Sequence, residues 1–337
     1  MKNNDMVLLS HGGGGLRSKR LINDVLLKHL GNPFLNELDD GAILRLESRD
    51  IVFTTDSFVV RPLFFPGGDI GKLAVCGTVN DLLMMGAVPR YLTFGLILEE
   101  GFLLSDLERI IVSMRNTLAA AGVKIVSGDT KVVEKGIGMG VFINTSGIGV
   151  RRKNTDTRVS NARLGDVVIV TGTLGDHGAA VISRREGINI ESRLKSDLAP
   201  LHDLIAPLFR FGADLHCLRD PTRGGLAAAL CDIAEASRVG IRLFEKDIPV
   251  KKETFGVCGM LGLDPLNMAC EGRAVIVCPE RICRSVVQTL RSHPQGRGAR
   301  AIGLVERRVP GLVTLETAVG GERIIEMPMG DDLPRIC

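Results

Sequence analysis

The chain has 337 residues, of which 45% are apolar, and this length and composition suit two domains with hydrophobic cores. The net charge is only +3 and aromatic residues are scarce, so composition argues against a nucleic-acid-binding protein. No apolar run is long enough to span a bilayer, and the polar first residues do not resemble a secretory signal. We therefore expect a cytoplasmic protein that does not enter a membrane.

Strands and helices alternate along the first half of the chain. The clearest helix is predicted over 105–121, where one apolar face is formed by Leu107, Ile110, Ile111, Met114 and Leu118. Ser105 and Glu108 have the spacing of a capping box, and Gly122 follows the last apolar residue. The other predicted helices are 16–30 and 69–85, and the predicted strands are 42–46, 51–54, 91–98, 123–126 and 140–145. The charged stretch 151–158 has no apolar period and is predicted to be a solvated linker.

The second half begins with an apolar run typical of a buried strand, 166–170, and predicts an α/β domain with covering helices. Its other predicted elements are helices at 179–185, 201–211, 222–238 and 279–290, and strands at 241–244, 274–277, 301–305, 313–315 and 323–325. The last residues contain prolines and a glycine without apolar periodicity, which predicts a flexible, extended tail. The predicted division is an N-terminal domain over 1–155, a C-terminal domain over 156–327 and a tail over 328–337.

Three aspartates lie just past predicted strands or in turns: Asp56, Asp81 and Asp129. Magnesium prefers oxygen ligands and is usually shared between a few carboxylates and the phosphates of a substrate. Three carboxylates from separate segments would suit such a site. The alternative is that each aspartate caps a turn or a helix, as this residue commonly does.

Four consecutive glycines, Gly12 to Gly15, follow His11 and precede the first predicted helix. Backbone N–H groups there could approach a phosphate at a helix N-terminus, or the segment could be a plain flexible loop. The surrounding residues match neither a P-loop nor a dinucleotide fingerprint. Glycine-rich turns at 171–178 and 220–225 leave the same choice between an anion-facing loop and a simple helix start.

Two further side chains are candidates for acid–base chemistry. Lys131 lies two residues past Asp129, where it could contact a phosphate, serve as a base, or be an ordinary surface lysine. Glu271 precedes Gly272 and a predicted buried strand, so burial could raise its pKa toward the range of a general base. Simple turn formation is the alternative for Glu271.

The chain has eight cysteines, none in a Cys-x-x-Cys pair, and most are predicted to be free and buried. Cys270, Cys278 and Cys283 lie close enough in sequence to raise the alternative of a metal site. Cys337 differs because it is the last residue of the sequence. It is either a carrier that moves on the predicted tail or an accident of position.

Several motifs occur together in a fixed order. They are Thr-Thr-Asp-Ser-Phe, Gly-Lys-Leu-Ala-Val-Cys-Gly-Thr-Val-Asn-Asp, Gly-Asp-Thr-Lys-Val-Val, Gly-Thr-Leu-Gly-Asp-His-Gly and the ending Leu-Pro-Arg-Ile-Cys. With these motifs the chain resembles the hydrogenase maturation protein E family of carbamoyl dehydratases over essentially its full length. That family is related to aminoimidazole ribonucleotide synthetase, selenophosphate synthetase and thiamine monophosphate kinase. The ending Pro334 to Cys337 is the feature that distinguishes it from these relatives.

The resemblance implies a homodimer in which the N-terminal domains contribute strands to a shared β-barrel, with ATP near the interface. It implies magnesium on Asp56, Asp81 and Asp129. The residues predicted to bind ATP are Gly12, Gly13, Gly14, Gly15, Asp56, Asn80, Asp81, Gly128, Asp129, Thr130 and Lys131. Cys270, directly before Glu271, has no role that the resemblance supplies.

The resemblance also implies a reaction. A carbamoyl-transferring maturation protein loads a carboxamide onto Cys337, and the enzyme then removes water to leave a thiocyanate. The nitrile passes to iron held by an iron-carrying maturation scaffold and becomes a cyanide ligand of [NiFe]-hydrogenase. ATP would turn the amide oxygen into a phosphate leaving group, and a base would remove the amide protons. Glu271 is the first candidate for that base and Lys131 the second.

Two other readings remain open at this point. A related synthetase or kinase would act on a free small molecule, although selenophosphate synthetase needs a cysteine or selenocysteine in the glycine loop, and 11–15 has neither. A non-enzymatic scaffold would use Cys337 and other thiols to hold a metal. Magnesium-dependent ATP hydrolysis distinguishes the enzymes from the scaffold.

Overall fold

The computed structural model describes residues 6–11, 16–37, 44, 46–47, 50–136, 140–187 and 194–328. Gly12 to Gly15, residues 329–337 with Cys337, and most of the strand predicted over 42–46 lie outside the described residues. Among the described helices, none combines the length and apolar character needed to cross a membrane.

The described part of the N-terminal half forms a four-stranded sheet with helices against one face. Its strands are β1 (Ile51–Phe58), β4 (Ala87–Glu99), β5 (Lys124–Val133) and β6 (Val141–Arg151), and β2 (Phe64–Phe65) pairs with β3 (Gly68–Asp69) in a separate two-stranded sheet. Its helices are α1 (Leu16–Leu21), α2 (Lys28–Leu30), α3 (Ile70–Met84) and α4 (Leu104–Ala121), with π-helical turns over Ile22–Leu27. The sheet order is β1-β6-β4-β5, and only β4 and β5 are parallel neighbours.

The two faces of this sheet differ sharply in burial. On β4, the alternate residues Leu92, Phe94, Leu96 and Leu98 are buried on the face that α3 covers. The opposite face keeps large apolar side chains exposed: Ile51 is 50% exposed, Phe53 64% and Ile97 42%. An apolar sheet face that the described residues leave uncovered is typical of an interaction surface.

Helix α4 confirms the predicted apolar face and its end but not its start. Gly122 terminates the helix in the left-handed conformation, with φ of +66°. The predicted capping box is wrong, because the helix begins one residue earlier, at Leu104, and no side chain caps it. The N–H groups of Asp106 and Leu107 donate to the carbonyl of Leu103 instead, so Ser105 lies inside the first turn.

The predicted linker is anchored rather than wholly solvated. Thr155 and Thr157 are buried, and the Thr157 hydroxyl donates to the carbonyl of Met84 over 2.6 Å. The Thr155 hydroxyl donates to the carbonyls of Arg152 (2.7 Å) and Gly86 (3.3 Å). These bonds fix the segment between the two halves to the C-terminal end of α3.

The C-terminal half is a seven-stranded mixed sheet of the order β13-β12-β9-β11-β7-β10-β8. Its strands are β7 (Asp166–Val170), β8 (Cys217–Arg219), β9 (Gly240–Phe244), β10 (Val275–Pro279), β11 (Arg300–Glu306), β12 (Val313–Glu316) and β13 (Glu322–Ile325). Its helices are α5 (Asp176–Arg185), α6 (His202–Ile205), α7 (Gly225–Ser237), α8 (Lys252–Leu261) and α9 (Glu280–Arg291). Helices cover both faces, since Val168 lies in one core with Leu226 of α7 and Ile169 in the other with Val286 of α9.

Four elements of this half differ from the prediction. The helix predicted over 201–211 is divided into α6 and a 3-10 helix, Ala206–Asp214, with Pro207 in the first turn of the latter. The helix predicted from Thr222 begins only at Gly225. Helix α8 and the short strand β8 were not predicted. The overall prediction of mixed α/β structure in two halves is confirmed.

Candidate active site

Four carboxylates from distant parts of the sequence line one cavity of about 230 Å³ between the two halves of the chain. They belong to Asp56, Asp81, Asp220 and Glu271. The other lining residues are Thr55, Ser57, Phe58, Gly77, Arg219, Thr222 and Arg223. The structure thus brings together Asp56, Asp81 and Glu271, three of the predicted site residues, and adds Asp220.

The N-terminal half supplies two of these carboxylates through the packing of β1 on α3. Asp56 lies on the covered face of β1, and Asp81 is in the last turn of α3. A side chain at position 77 would prevent this contact, since a Cβ on Gly77 would lie 2.8 Å from the Phe58 ring. The Thr54 hydroxyl donates to Asp81 Oδ2 over 3.1 Å and orients that carboxylate.

The C-terminal half supplies the other two. Asp220 directly follows β8, and Glu271 lies in the turn before β10. Two arginines flank the cavity but neutralise it poorly: Arg219 is bound to Asp232 at 2.9 Å, and the largely exposed Arg223 is 3.9 Å from Asp56 Oδ1.

Burial raises the pKa of every carboxyl group in this cavity, and repulsion between carboxylates adds to the shifts of Asp81, Asp220 and Glu271. The pKa of Asp81 rises to about 7, first because burial disfavours the charged form and then because Asp220 is close. Burial is also the main cause of the raised pKa values of Asp56 and Asp220. The pKa of Glu271 is raised well above its usual range by burial, then by Asp220 and Asp197. The cavity is therefore suited to a cation that would relieve this repulsion.

The donor set fits a magnesium ion shared with phosphate oxygens. Glu271 Oε1 is buried and has no hydrogen-bond partner. Within the part of the chain that the structure describes, no three Asp, Glu, His or Cys side chains converge closely enough to hold a metal ion by themselves. Magnesium usually takes one or two protein carboxylates and completes its octahedron with water and phosphate. Asp56 and Asp81 suit that role.

Asp129 does not join Asp56 and Asp81 within one chain. It lies on the edge strand β5, opposite Gly95 in the register, on the uncovered face of the sheet and exposed to solvent. Asp56 is on the covered face of the other edge strand, three strand spacings or roughly 14 Å away. Neither Asp129 nor Lys131 lines the four-carboxylate cavity.

The segment Gly128, Asp129, Thr130 and Lys131 lines a different cavity, of about 290 Å³. The rest of its lining is mostly apolar and comes from α1, the π-helical turns, β4 and β5, together with His11. His11 directly precedes Gly12 in the sequence. The predicted ATP-binding residues that line a cavity therefore divide into two groups, one at each edge of the N-terminal sheet.

Asn80, predicted to bind ATP, lines neither of these cavities. Its side chain is 2% exposed and forms hydrogen bonds with three backbone groups. Nδ2 donates to the carbonyls of Ala199 (3.2 Å) and Glu271 (3.3 Å), and Oδ1 accepts from the N–H of Leu201 (2.9 Å). This side chain is not available to a cofactor.

The cysteine alternatives are also decided by packing. Cys270 Sγ is fully buried and accepts a hydrogen bond from the N–H of Gly175 over 3.1 Å. Burial raises the pKa of this thiol well above its usual value, so Cys270 supports the 171–178 turn as a neutral group. Among the described residues, Cys270, Cys278 and Cys283 form no metal cluster.

The glycine-rich turn at 171–178 starts a helix. Asp176 is the first residue of α5 and is fully buried. Its carboxylate accepts from the hydroxyls of Thr173 and Thr254, each over 2.6 Å, and pairs with Lys251 Nζ at 2.7 Å. These protein groups pair the Asp176 carboxylate, so the presence of an aspartate in this motif is explained without a bound ligand.

Asp220, Arg219 and Arg223 are the site residues that sequence reasoning missed. A signal was present, since Asp220 directly follows a strand, as Asp56 and Asp129 were predicted to do. The segment 220–225 drew attention only for its glycines. The preceding strand, β8, has three residues and gave no periodicity to recognise.

Comparisons with known proteins place this geometry in context. Family models for the N-terminal and C-terminal domains of AIR synthase related proteins match residues 38–151 and 163–312. The carbamoyl dehydratase HypE of Azotobacter vinelandii is 45% identical over 334 residues, which is 99% of this chain and 98% of that protein. A crystal structure of hydrogenase maturation protein HypE in complex with ATP is 44% identical, with a TM-score of 0.95 over 98% of this chain and 99% of that one. HypE in a crystal structure of the HypE–HypF complex is 46% identical, with a TM-score of 0.81 over 91% of this chain and 99% of that one.

Proposed function

Because the chain belongs to the carbamoyl dehydratase HypE family, we propose that it uses ATP to dehydrate a carbamoyl group, carried on its own Cys337, to a thiocyanate. The nitrile then supplies a cyanide ligand for the iron of [NiFe]-hydrogenase. The observation that carries the proposal is the cavity formed by Asp56, Asp81, Asp220 and Glu271 between the two halves of the chain. Its crowded carboxylates suit magnesium and the phosphates of ATP.

The position of Pro328 beside the cavity supports Cys337 as the carrier. Pro328 packs beside Gly224, since a Cβ on that glycine would lie 3.7 Å from Pro328 Cγ. Gly224 directly follows Arg223, which lines the cavity. Nine residues follow Pro328 in the sequence, and in extended form they could span about 30 Å. The sulfur could therefore reach an external partner and the cavity in turn.

The reaction has a simple balance. The amide oxygen of the S-carboxamide attacks the γ-phosphorus of ATP, and ADP leaves. The C–O bond then breaks with loss of phosphate while the nitrogen gives up both protons, which leaves a carbon–nitrogen triple bond on sulfur. Magnesium on Asp56 and Asp81 would neutralise charge on the transferred phosphoryl group. The chain itself must hold the carboxamide and accept a proton.

A homodimer supplies the remaining predicted residues. Ile51, Phe53 and Ile97 are exposed on the uncovered face of the N-terminal sheet, and pairing two such faces would bury them in a shared barrel. Asp129 and Lys131 lie on this same face. We propose that they complete the ATP site of a second copy of the chain, together with the loop Gly12 to Gly15, Gly128 and Thr130.

Complementation between two inactive variants tests this arrangement. Asp81→Asn and Asp129→Asn homodimers are each expected to be nearly inactive in magnesium-dependent ATP hydrolysis. In a re-equilibrated equal mixture, half the dimers are mixed and each has one site with both aspartates intact. We expect about one quarter of wild-type activity. A mixture as inactive as its components would show that Asp81 and Asp129 do not come from different chains.

We assign the base to Glu271, with Lys131 as the second candidate. Burial, followed by repulsion from Asp220, raises the pKa of Glu271 and favours its protonated form, and a nearby cation would oppose this shift. Glu271→Gln is nearly isosteric with a protonated glutamate and is expected to fold and to accept the carbamoyl group. It should then form thiocyanate about 10²- to 10⁴-fold more slowly, measured in single turnover. Thiocyanate formation at the normal rate would transfer the role to Lys131.

The partners follow from the reaction. A carbamoyl-transferring maturation protein would load Cys337, and the HypE–HypF complex known for a relative supports such an association. An iron-carrying maturation scaffold would receive the nitrile.

All seven cysteines within the described residues are free thiols, which supports a reducing compartment such as the cytoplasm.

Infrared spectroscopy tests the proposed function. The chain, the carbamoyl-transferring partner, its carbamoyl donor, ATP and magnesium are expected to produce a nitrile band on the protein that is absent without ATP. A carbon-13 carbamoyl donor should shift that band to lower frequency. Hydrolysis of ATP without any nitrile band would contradict the dehydratase and favour a related kinase or synthetase.

A further inference from the structure

One buried amide, that of Asn80, joins the two halves of the chain at the candidate active site. Helix α3 carries both Asn80 and Asp81, and the Asn80 side chain is bonded to the backbone of Glu271 in the other half. We propose that Asn80 is a positioning residue that fixes Glu271 relative to Asp81 and does not contact ATP. The proposal rests on the proposed function of these two carboxylates.

The contacts define what the side chain holds. Nδ2 donates to the carbonyls of Ala199 and Glu271, and Oδ1 accepts from the N–H of Leu201. These partners are 119 to 191 residues away in sequence, so no local structure would bring them to α3. With 2% exposure, water has little access to replace any of the three bonds.

The segment 197–201 is itself fixed to the turn that carries Glu271. Asp197 Oδ2 accepts from the N–H of Gly272 over 2.9 Å. The two backbones touch, since a Cβ on Gly272 would lie 1.9 Å from the carbonyl oxygen of Asp197. The 197–201 segment and the turn that carries Glu271 therefore form one rigid unit, and Asn80 forms hydrogen bonds with both parts of it. Movement of that unit relative to α3 would move Glu271 relative to Asp81.

Only an amide of this length satisfies the three partners together. It presents two N–H donors to the carbonyls and one acceptor to Leu201. An aspartate would direct a carboxylate oxygen at two carbonyl oxygens, and alanine would leave all three backbone groups unpaired. The three backbone groups therefore explain why position 80 is an asparagine, and no contact with a nucleotide is needed to explain it.

The matched control concerns a bond about one turn further along the same helix. Thr157 is 1% exposed, and its hydroxyl bonds the carbonyl of Met84, the last residue of α3. Like the Asn80 variants, Thr157→Val removes a buried hydrogen bond between α3 and a residue outside the N-terminal sheet. Thr157 lines neither cavity, so its replacement reports the effect of lost stability alone.

The experiment compares Asn80→Ala, Asn80→Ser and Thr157→Val as full-length dimers. Single-turnover thiocyanate formation, the dissociation constant for ATP and thermal unfolding are measured for each. We expect Asn80→Ala to form thiocyanate about 100-fold more slowly, since displacement of a reacting group by about 1 Å has an effect of this size. Asn80→Ser, which retains one donor, should be intermediate, and the ATP dissociation constant should stay within about twofold of wild type. Thr157→Val should lower the unfolding temperature without slowing the reaction.

The outcomes are distinct. Weaker ATP binding in the Asn80 variants would make Asn80 a nucleotide ligand and overturn the proposal. Asn80→Ser is the milder change and replaces Asn80→Ala if that variant does not fold. Normal thiocyanate formation by a destabilised Asn80→Ser protein would show that Asn80 has only a structural role. Absence of thiocyanate from the wild-type protein would instead contradict the proposed function.

Discussion

Cys337→Ala is expected to abolish thiocyanate formation completely while folding, dimerisation and ATP binding stay as in wild type. The variant removes the only atom to which the proposed substrate is attached. The described thiols are poor substitutes, because burial raises the pKa values of Cys217 and Cys278 to about 12 and that of Cys76 further still. Loading is measured by intact mass after incubation with the carbamoyl-transferring partner and its donor.

The matched control is Cys283→Ala. Cys283 is a half-buried free thiol on α9, away from the cavity, and its removal should leave loading unchanged. Deletion of residues 334–336 gives a second test, because it keeps the terminal cysteine but shortens the tail by about 10 Å. We expect this variant to fail in dehydration. A Cys337→Ala protein that still acquires a carbamoyl group and forms a nitrile would show that another cysteine is the carrier.

Asp81→Asn is expected to remove most magnesium-dependent ATP hydrolysis, because a neutral amide is a poor ligand for Mg²⁺. The fold should survive, since an amide oxygen can still accept the hydrogen bond from Thr54. Activity is measured as phosphate release over a range of magnesium concentrations. A folded variant with wild-type activity at low magnesium would exclude Asp81 from the metal site.

Thermal unfolding supplies the control for that variant. Because the folded-state pKa of Asp81 is raised from 3.8 to about 7, its ionisation costs stability progressively as pH rises through this window. At about pH 8 and without magnesium, Asp81→Asn replaces a charged, buried carboxylate with a neutral amide. The variant should therefore unfold at a temperature at least as high as wild type. A large fall would mean that lost activity reflects misfolding.

The sequence was sufficient for the elements with strong periodicity. Helix α4 places Leu107, Ile110, Ile111, Met114 and Leu118 in the core, as their spacing predicted. Helix α8 escaped prediction because Gly256 and Gly259 interrupt it and only a few of its residues are buried. The start of α4 was misplaced because backbone carbonyls, rather than the Ser105 side chain, satisfy its first N–H groups.

In the candidate site, too, local sequence patterns identified single residues but did not predict the contacts between distant residues. Asp56, Asp81 and Glu271 were found as single carboxylates near strand ends or helix ends. Their common cavity could not be read from spacing, because it depends on contacts between the two halves. Asp129 was grouped with them although strand order and face place it elsewhere within the chain. Asn80 had the residue type of a ligand, but its burial and backbone partners give it another role.

Intact mass spectrometry of the wild-type protein gives the most direct test of Cys337 as the carrier of the carbamoyl group. The chain is incubated with the carbamoyl-transferring partner and its donor, and then with ATP and magnesium, and peptide mapping locates the modification. We expect the mass of one carbamoyl group to appear on Cys337 and then to decrease by the mass of one water only when ATP is present. A carbamoyl group on another residue, or one that ATP leaves unchanged in the wild-type protein, would contradict the account.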